Sequence, residues 1–179
     1  MTRAHSAGAD AAEAFGIVFT TRSVYVEDDV PKVGEDRTEA GLGVRVAKGK
    51  RVAFASTTLA GPRDAVSATS AAIATLRRVP EDPDFTGFPT EGATGEVHGT
   101  WDSATASAGV EALAEAAKTF TDAARRRRGT TVPKAMFRLQ DYSIRVANSN
   151  RISADHRGTL VFCYLTATTG PGGNPARAS

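Results

Sequence analysis

Apolar residues alternate with a period of two at both ends of this chain and shift to helical spacing only in its middle, which restricts the fold to strands, then helices, then strands. "AFGIVFTT" (14–21) is rich in aromatic and β-branched residues, and in "SVYVE" (23–27) Val24 and Val26 fall on one face with Tyr25 on the other. "GLGVRVAKGKRVAFAST" reads as a hairpin: Val44 and Val46 flank Arg45, "KGK" turns the chain, and Val52 and Phe54 resume the alternation. Strand patterns return at "KAMFRL" (134–139), "SIRVAN" (143–148) and "TLVFCYLTAT" (159–168). The polar run "EDDVPKVGEDRTEAG" carries Pro31 and Gly34 and is expected to be a turn or an irregular edge.

Two helices are expected in between. The first starts at Pro62, whose fixed φ suits a first turn, and its stripe is Val66, Thr69, Ile73 and Leu76. Arg77 and Arg78 favour its C-terminal dipole, and Pro80 and Pro83 stop it. The second is capped by Asp102 or Ser103, carries Val110, Leu113, Ala117, Phe120 and Ala124 on one side, and ends at Gly129. Residues 80–100, with three prolines and four glycines, form a loop or linker. Segregated elements in this order predict an α+β fold, a mainly antiparallel sheet with two helices packed against it. Residues 8–169 are read as one domain and 170–179, "GPGGNPARAS", as a flexible tail.

Charge and composition narrow the function. The chain has 22 Lys and Arg against 20 Asp and Glu, a net charge of +2, too small to draw nucleic acid or a membrane by bulk electrostatics. Cys163 is the one cysteine, which excludes an intrachain disulfide and fits a reducing cytoplasm. No apolar run approaches the ~20 residues of a membrane span.

The residues that could carry chemistry do not assemble into a site on paper. His5, His98 and His156 are scattered, with no pair at the spacing that puts two imidazoles on one helix face, and they read as solvent-facing loop residues. Cys163 lies inside "LVFCYL", where alternation makes it a small packed hydrophobe rather than a thiolate. Asp28 and Asp29, like Glu35 and Asp36, read as solvated turn charge. Gly41 and Gly43 match the first two glycines of a dinucleotide-binding loop, but Val46 stands at the third position and a strand follows. The pair is better suited to a bulge or close strand packing. Arg125 to Arg128 form the one cationic run, at a helix C-terminus where arginines complement the dipole. No catalytic, cofactor-binding or metal-binding residue is assigned.

The ordered segments, rather than any single motif, resemble the N-terminal domain of the TldD/PmbA family, also known as modulators of DNA gyrase. Gly8, Ala9, Asp10, Ala11 and Glu13 match its opening, Gly41 to Val46 its Gly-x-Gly-Val-x-Val strand, "KGKRVAFASTT" its basic turn and small-residue strand, and Pro80 to Pro83 its break after the first helix. Asn148 and Ser149 match an Asn-Ser-x-Gly turn, except that Arg151 replaces the glycine. The resemblance covers about residues 8–169 and is closer to the PmbA side.

It implies a non-catalytic domain of a metalloprotease-family protein that assembles subunits and helps to enclose peptide substrates. The implied partners are the C-terminal region that carries the family's His-Glu-x-x-x-His zinc motif, or a partner subunit; peptides are met only through the full assembly. Zinc is expected in catalytic full-length relatives and not in this chain, which is expected to be the inactive front portion of a longer protein. The alternative is a free-standing interaction module with weak nucleic-acid affinity through Arg125 to Arg128. The last strand is expected to be an edge, with Val161, Cys163 and Leu165 on one face and Leu160, Phe162 and Tyr164 on the other.

Overall fold

The computed structural model describes residues 2–92, 95, 97–170 and 176–178 of the 179-residue chain. Its elements in chain order are α1 (Thr2–Ser6), β1 (Ala11–Glu27), β2 (Val30–Lys48), β3 (Arg51–Thr58), α2 (Pro62–Leu76), α3 (Ser103–Ser107), α4 (Val110–Arg125), β4 (Thr130–Asn148), β5 (Ser153–Thr169) and β6 (Ala176–Ala178). The strands join in one sheet, ordered β3-β2-β1-β4-β5-β6. The fold is α+β, as the segment order predicts.

Connection lengths dictate most of the strand directions. Asp28-Asp29 and Gly49-Lys50 are two-residue links, which can join only antiparallel neighbours. Between β1 and β4, Asp28 N–H donates to the Pro133 carbonyl at 3.2 Å and Ser149 N–H to the Ala12 carbonyl at 2.8 Å. Residue numbers rise along one strand as they fall along the other, so this pair is antiparallel too.

The chain divides into two compact units. The first comprises Met1–Phe19, Glu39–Val97 and Ser143–Arg157; the second comprises Thr20–Thr38, His98–Tyr142 and Gly158–Ser179. Each has its own apolar core. In the first unit Ala68, Ala72 and Leu76 of α2 pack on Ala12, Val44, Val46 and Ala53 of the sheet. At the start of α2, the Asp64 carboxylate accepts from the N–H groups of Ala60 and Gly61, both at 2.9 Å, satisfying donors that the helix itself cannot. In the second unit Leu113 and Ala117 of α4 pack on Val24, Val26, Val132, Ala135, Phe137 and Leu139.

The structure corrects several expectations from pattern. The polar run after Asp29 is not a turn: only Asp28 and Asp29 turn, with φ of 49° and 66°, and β2 runs from Val30 onwards. Charges pair along this strand, Asp36 with Arg22 of β1 at 3.6 Å and Glu35 with Arg37 of β2 itself at 2.7 Å. The second helix is two helices. Asp102 caps only α3, accepting from Thr105 N–H at 2.6 Å, and α4 starts afresh after Gly109.

Both helical stripes hold in part: Leu76, Leu113 and Ala117 are buried, and Ile73, Val110 and Ala124 pack against the cores. Val66 and Phe120 are the exceptions, 39% and 52% exposed, and Ala68, Ala72 and Thr121 are buried as well. The segments 134–139 and 143–148 form one strand, β4. The last long strand is not the sheet edge, because Leu165, Thr166 and Ala167 of β5 pair with Ala178, Arg177 and Ala176. Residues 171–175 and 179 of the expected tail lie outside the described residues.

Candidate functional site

The main concavity lies in the first unit, on the sheet face opposite α2. Strand alternation decides which residues reach it. Val44, Val46 and Ala53 turn towards α2, so Glu13, Phe15, Ile17 and Phe19 of β1, Gly41, Gly43 and Arg45 of β2, and Phe54 and Ser56 of β3 face the other way. The register sets Arg45 opposite Phe54, Gly43 opposite Ser56 and Gly41 opposite Thr58. Together they line an open groove of about 700 Å³. Its apolar walls remain accessible, with Phe15 42% and Phe54 58% exposed.

The two glycines form its floor. A Cβ on Gly43 would lie 2.9 Å from the Phe54 ring, and one on Gly41 would lie 3.4 Å from Ile17. The missing side chain of Gly43 leaves room for the Phe54 ring, and that of Gly41 lies beside Ile17. This is the close-packing role expected of them, in place of a phosphate-binding loop.

Charge closes one end. Glu13 accepts from Arg45 through Nε at 3.0 Å and through Nη2 as well. The Arg45 guanidinium lies 5.3 Å from the centre of the Phe88 ring, a cation–π distance. Phe88 is buried, and its backbone is tethered: Asn150 Nδ2 donates to the Phe88 carbonyl at 3.0 Å and Asn148 Nδ2 to the Pro89 carbonyl at 2.8 Å. Asn148 Oδ1 also accepts from the N–H groups of Asn150 and Ile152, at 2.9 and 3.1 Å. Arg151 occupies the left-handed region with φ of 66°, the conformation a glycine would adopt freely. The turn geometry is therefore kept without the glycine, through the Asn148 side chain.

The groove is open and largely apolar, and its described lining residues form no catalytic constellation. The other candidates do not gather around it. His5 lies in α1 with Nδ1 3.2 Å from the Ala9 carbonyl oxygen, His98 lies in a turn, and His156 lies on β5 rather than in a loop. Cys163 packs against the α4 core, as expected. Asp29 ties β1 to β4, its Oδ1 accepting from Val132 N–H at 2.8 Å, and it also lies 3.9 Å from Arg125 Nε. Arg126, Arg127 and Arg128 are exposed beyond α4. Among the described residues no three or more His, Cys, Asp and Glu side chains converge on a point where a metal could sit, so they do not fit a zinc site. No described helix is long and apolar enough to cross a membrane.

Residues 12–74, which include nearly all of the groove strands and of α2, match the model of PmbA/TldA metallopeptidase domain 1. That segment is similar to the first domain of the TldD/PmbA metallopeptidases. Three solved structures share this fold along almost all of the present chain. TldE from Thermococcus kodakarensis is 18% identical with a TM-score of 0.87, over 97% of this chain and 39% of its own. A protein described as a modulator of DNA gyrase from Bacteroides thetaiotaomicron is 18% identical with a TM-score of 0.82, over 99% of this chain and 41% of its own. Another so described, from Thermotoga maritima, is 14% identical with a TM-score of 0.77, over 98% and 39%. The chain thus spans about two fifths of the length of these proteins. No curated protein matches it at a comparable level.

Pattern reading did not find the groove. The alternation of Phe15, Ile17 and Phe19 is visible in the sequence as a strand, but nothing there says which side α2 covers. The available signal is that β1 is apolar on both faces. One face is spent on the α2 core, which leaves the other uncovered by that helix.

Proposed function

We propose that this chain serves as the non-catalytic first domain of a TldD/PmbA-type metallopeptidase assembly, helping to join its parts and to enclose peptide substrates. The observation that carries this reading is the open apolar groove of Phe15, Ile17, Phe19 and Phe54 in a chain that matches about two fifths of the length of longer proteins. An apolar surface of this kind marks an interaction site more often than a solvent-facing one. Zinc and the residues that bind it belong to the rest of the assembly in this reading, and its setting is the cytoplasm. The tie between Glu13, Arg45 and Phe88 would hold one end of the groove rigid against the covering segment.

Mixing this chain with a separately produced C-terminal region from a TldD/PmbA protein of the same genome tests the reading. The expected result is a stable complex by size-exclusion chromatography with light scattering, weakened at least tenfold by Phe54→Ser, with peptidase activity in the complex and none in the chain alone. A monomer that ignores the C-terminal region would overturn it.

A further inference from the structure

The second unit holds an arginine one of whose buried donors has no partner among the described residues. On β4, Phe137 and Leu139 face the α4 core, so Arg138 between them projects from the opposite face of the sheet. Gln140, on that same side, donates through Nε2 to Thr21 Oγ1 on β1 at 3.0 Å, which fixes the local pairing and puts Ser23 opposite Arg138. Ser23 is fully buried, and its hydroxyl has no hydrogen-bond partner among the described residues. Arg138 Nε is likewise buried without one, although the residue as a whole is only half-buried. On β5 the same face carries Leu160 and Phe162, 52% and 45% exposed, with the Phe162 and Tyr164 rings 6.3 Å apart.

A buried donor without an acceptor costs about 1–3 kcal/mol. A charged one beside apolar surface is the group that gains most from an incoming carboxylate, because water no longer screens the pair. Arginine and aromatic side chains set in an apolar surround also make the usual energetic centre of a protein interface.

We propose that the Arg138 face of the second unit docks a protein segment that presents a carboxylate to the Arg138 guanidinium and apolar side chains to Leu160 and Phe162. The occupant is defined by charge complementarity at Arg138 and does not depend on the assembly proposed for the groove. Leu160 and Phe162 position the segment by burial, and Arg138 selects Asp or Glu over their amides.

The experiment uses the full chain and a fluorescent pentapeptide capped at both ends, Val-Leu-Glu-Leu-Val, with Val-Leu-Gln-Leu-Val as its neutral counterpart. Fluorescence anisotropy is expected to show saturable binding of the Glu peptide at least tenfold tighter than that of the Gln peptide. Arg138→Met should erase that difference while raising the melting temperature of the free chain, since an apolar side chain of similar length removes the unmet donor. Phe162→Ser, at an exposed position, should weaken both peptides without unfolding the chain, and so tests the site even if the Arg138 variant folds poorly. Equal binding of the two peptides, no saturable binding, or a preference for a DNA oligonucleotide would overturn the proposal.

Discussion

The phenyl ring of Phe54 lies over Gly43, close enough that a Cβ there would sit 2.9 Å from one ring carbon and 3.3 Å from another. The groove floor is built from this contact. Gly43→Ala should therefore displace the ring. Phe54 is 58% exposed and free to swing away, so the expected stability loss is below ~1 kcal/mol. Thermal melting combined with the NMR shifts of Phe54 checks this; an unmoved ring would mean that the glycine has no part in shaping the groove.

Gly34 makes the opposite case. Its Cβ would fall 2.6 Å from the Ser23 carbonyl oxygen and equally close to the Tyr25 ring. The backbone of a paired strand cannot yield as an exposed ring can. Gly34→Ala should cost about 1–3 kcal/mol, measured by urea unfolding.

The turn at Arg151 stores strain that a glycine would release. A non-glycine residue in the left-handed region costs about 1–2 kcal/mol. Arg151→Gly should recover up to roughly 1 kcal/mol of this after the added freedom of the unfolded glycine is counted. Asn148→Ala should go the other way by ~1–3 kcal/mol, because it strips the acceptor from the Asn150 and Ile152 N–H groups and the donor from the Pro89 carbonyl. Equal melting temperatures for Arg151→Gly and the parent chain would count against the strain.

The hydrogen bonds from Thr105 to the Asp102 carboxylate hold its pKa below the ordinary carboxylate value. For a depressed carboxylate, the stabilisation is present above the unfolded-state pKa and is lost as pH falls through the lower folded value. The start of α3 should accordingly fray only in acid. The Thr105 amide shift, followed by NMR, should titrate with the Asp102 carboxylate and become flat in Asp102→Ala.

In α4 the buried positions are Leu113, Ala117 and Thr121. Leu113→Ala should cost ~2–5 kcal/mol. Phe120 is half exposed and touches Phe137 edge-on at 5.3 Å, so Phe120→Ala should cost less than Leu113→Ala. Denaturant midpoints for the two variants decide the order.

The sequence alone determined the fold class, because period-two alternation and helical spacing are local properties that a chain carries wherever it packs. It also determined the hairpin at Gly49-Lys50, the α2 start at Pro62, the packed state of Cys163 and the strand role of Gly41 and Gly43. The length of β2 was hidden, since its polar residues are stabilised by cross-strand pairs such as Arg22 with Asp36, which no local pattern records. Helical spacing found Leu76, Leu113 and Ala117 on the buried stripes but missed Ala68 and Ala72: alanines fit where a helix lies close to a sheet, while Val66 and Phe120, the more hydrophobic choices, were left outside. Only the tertiary structure decided which face of β1 was covered. That choice left Phe15, Ile17 and Phe19 as a groove, and on β4 it left Arg138 with its Nε buried and unpaired. A face becomes a site through what does not pack against it, and that depends on contacts between residues far apart in the chain.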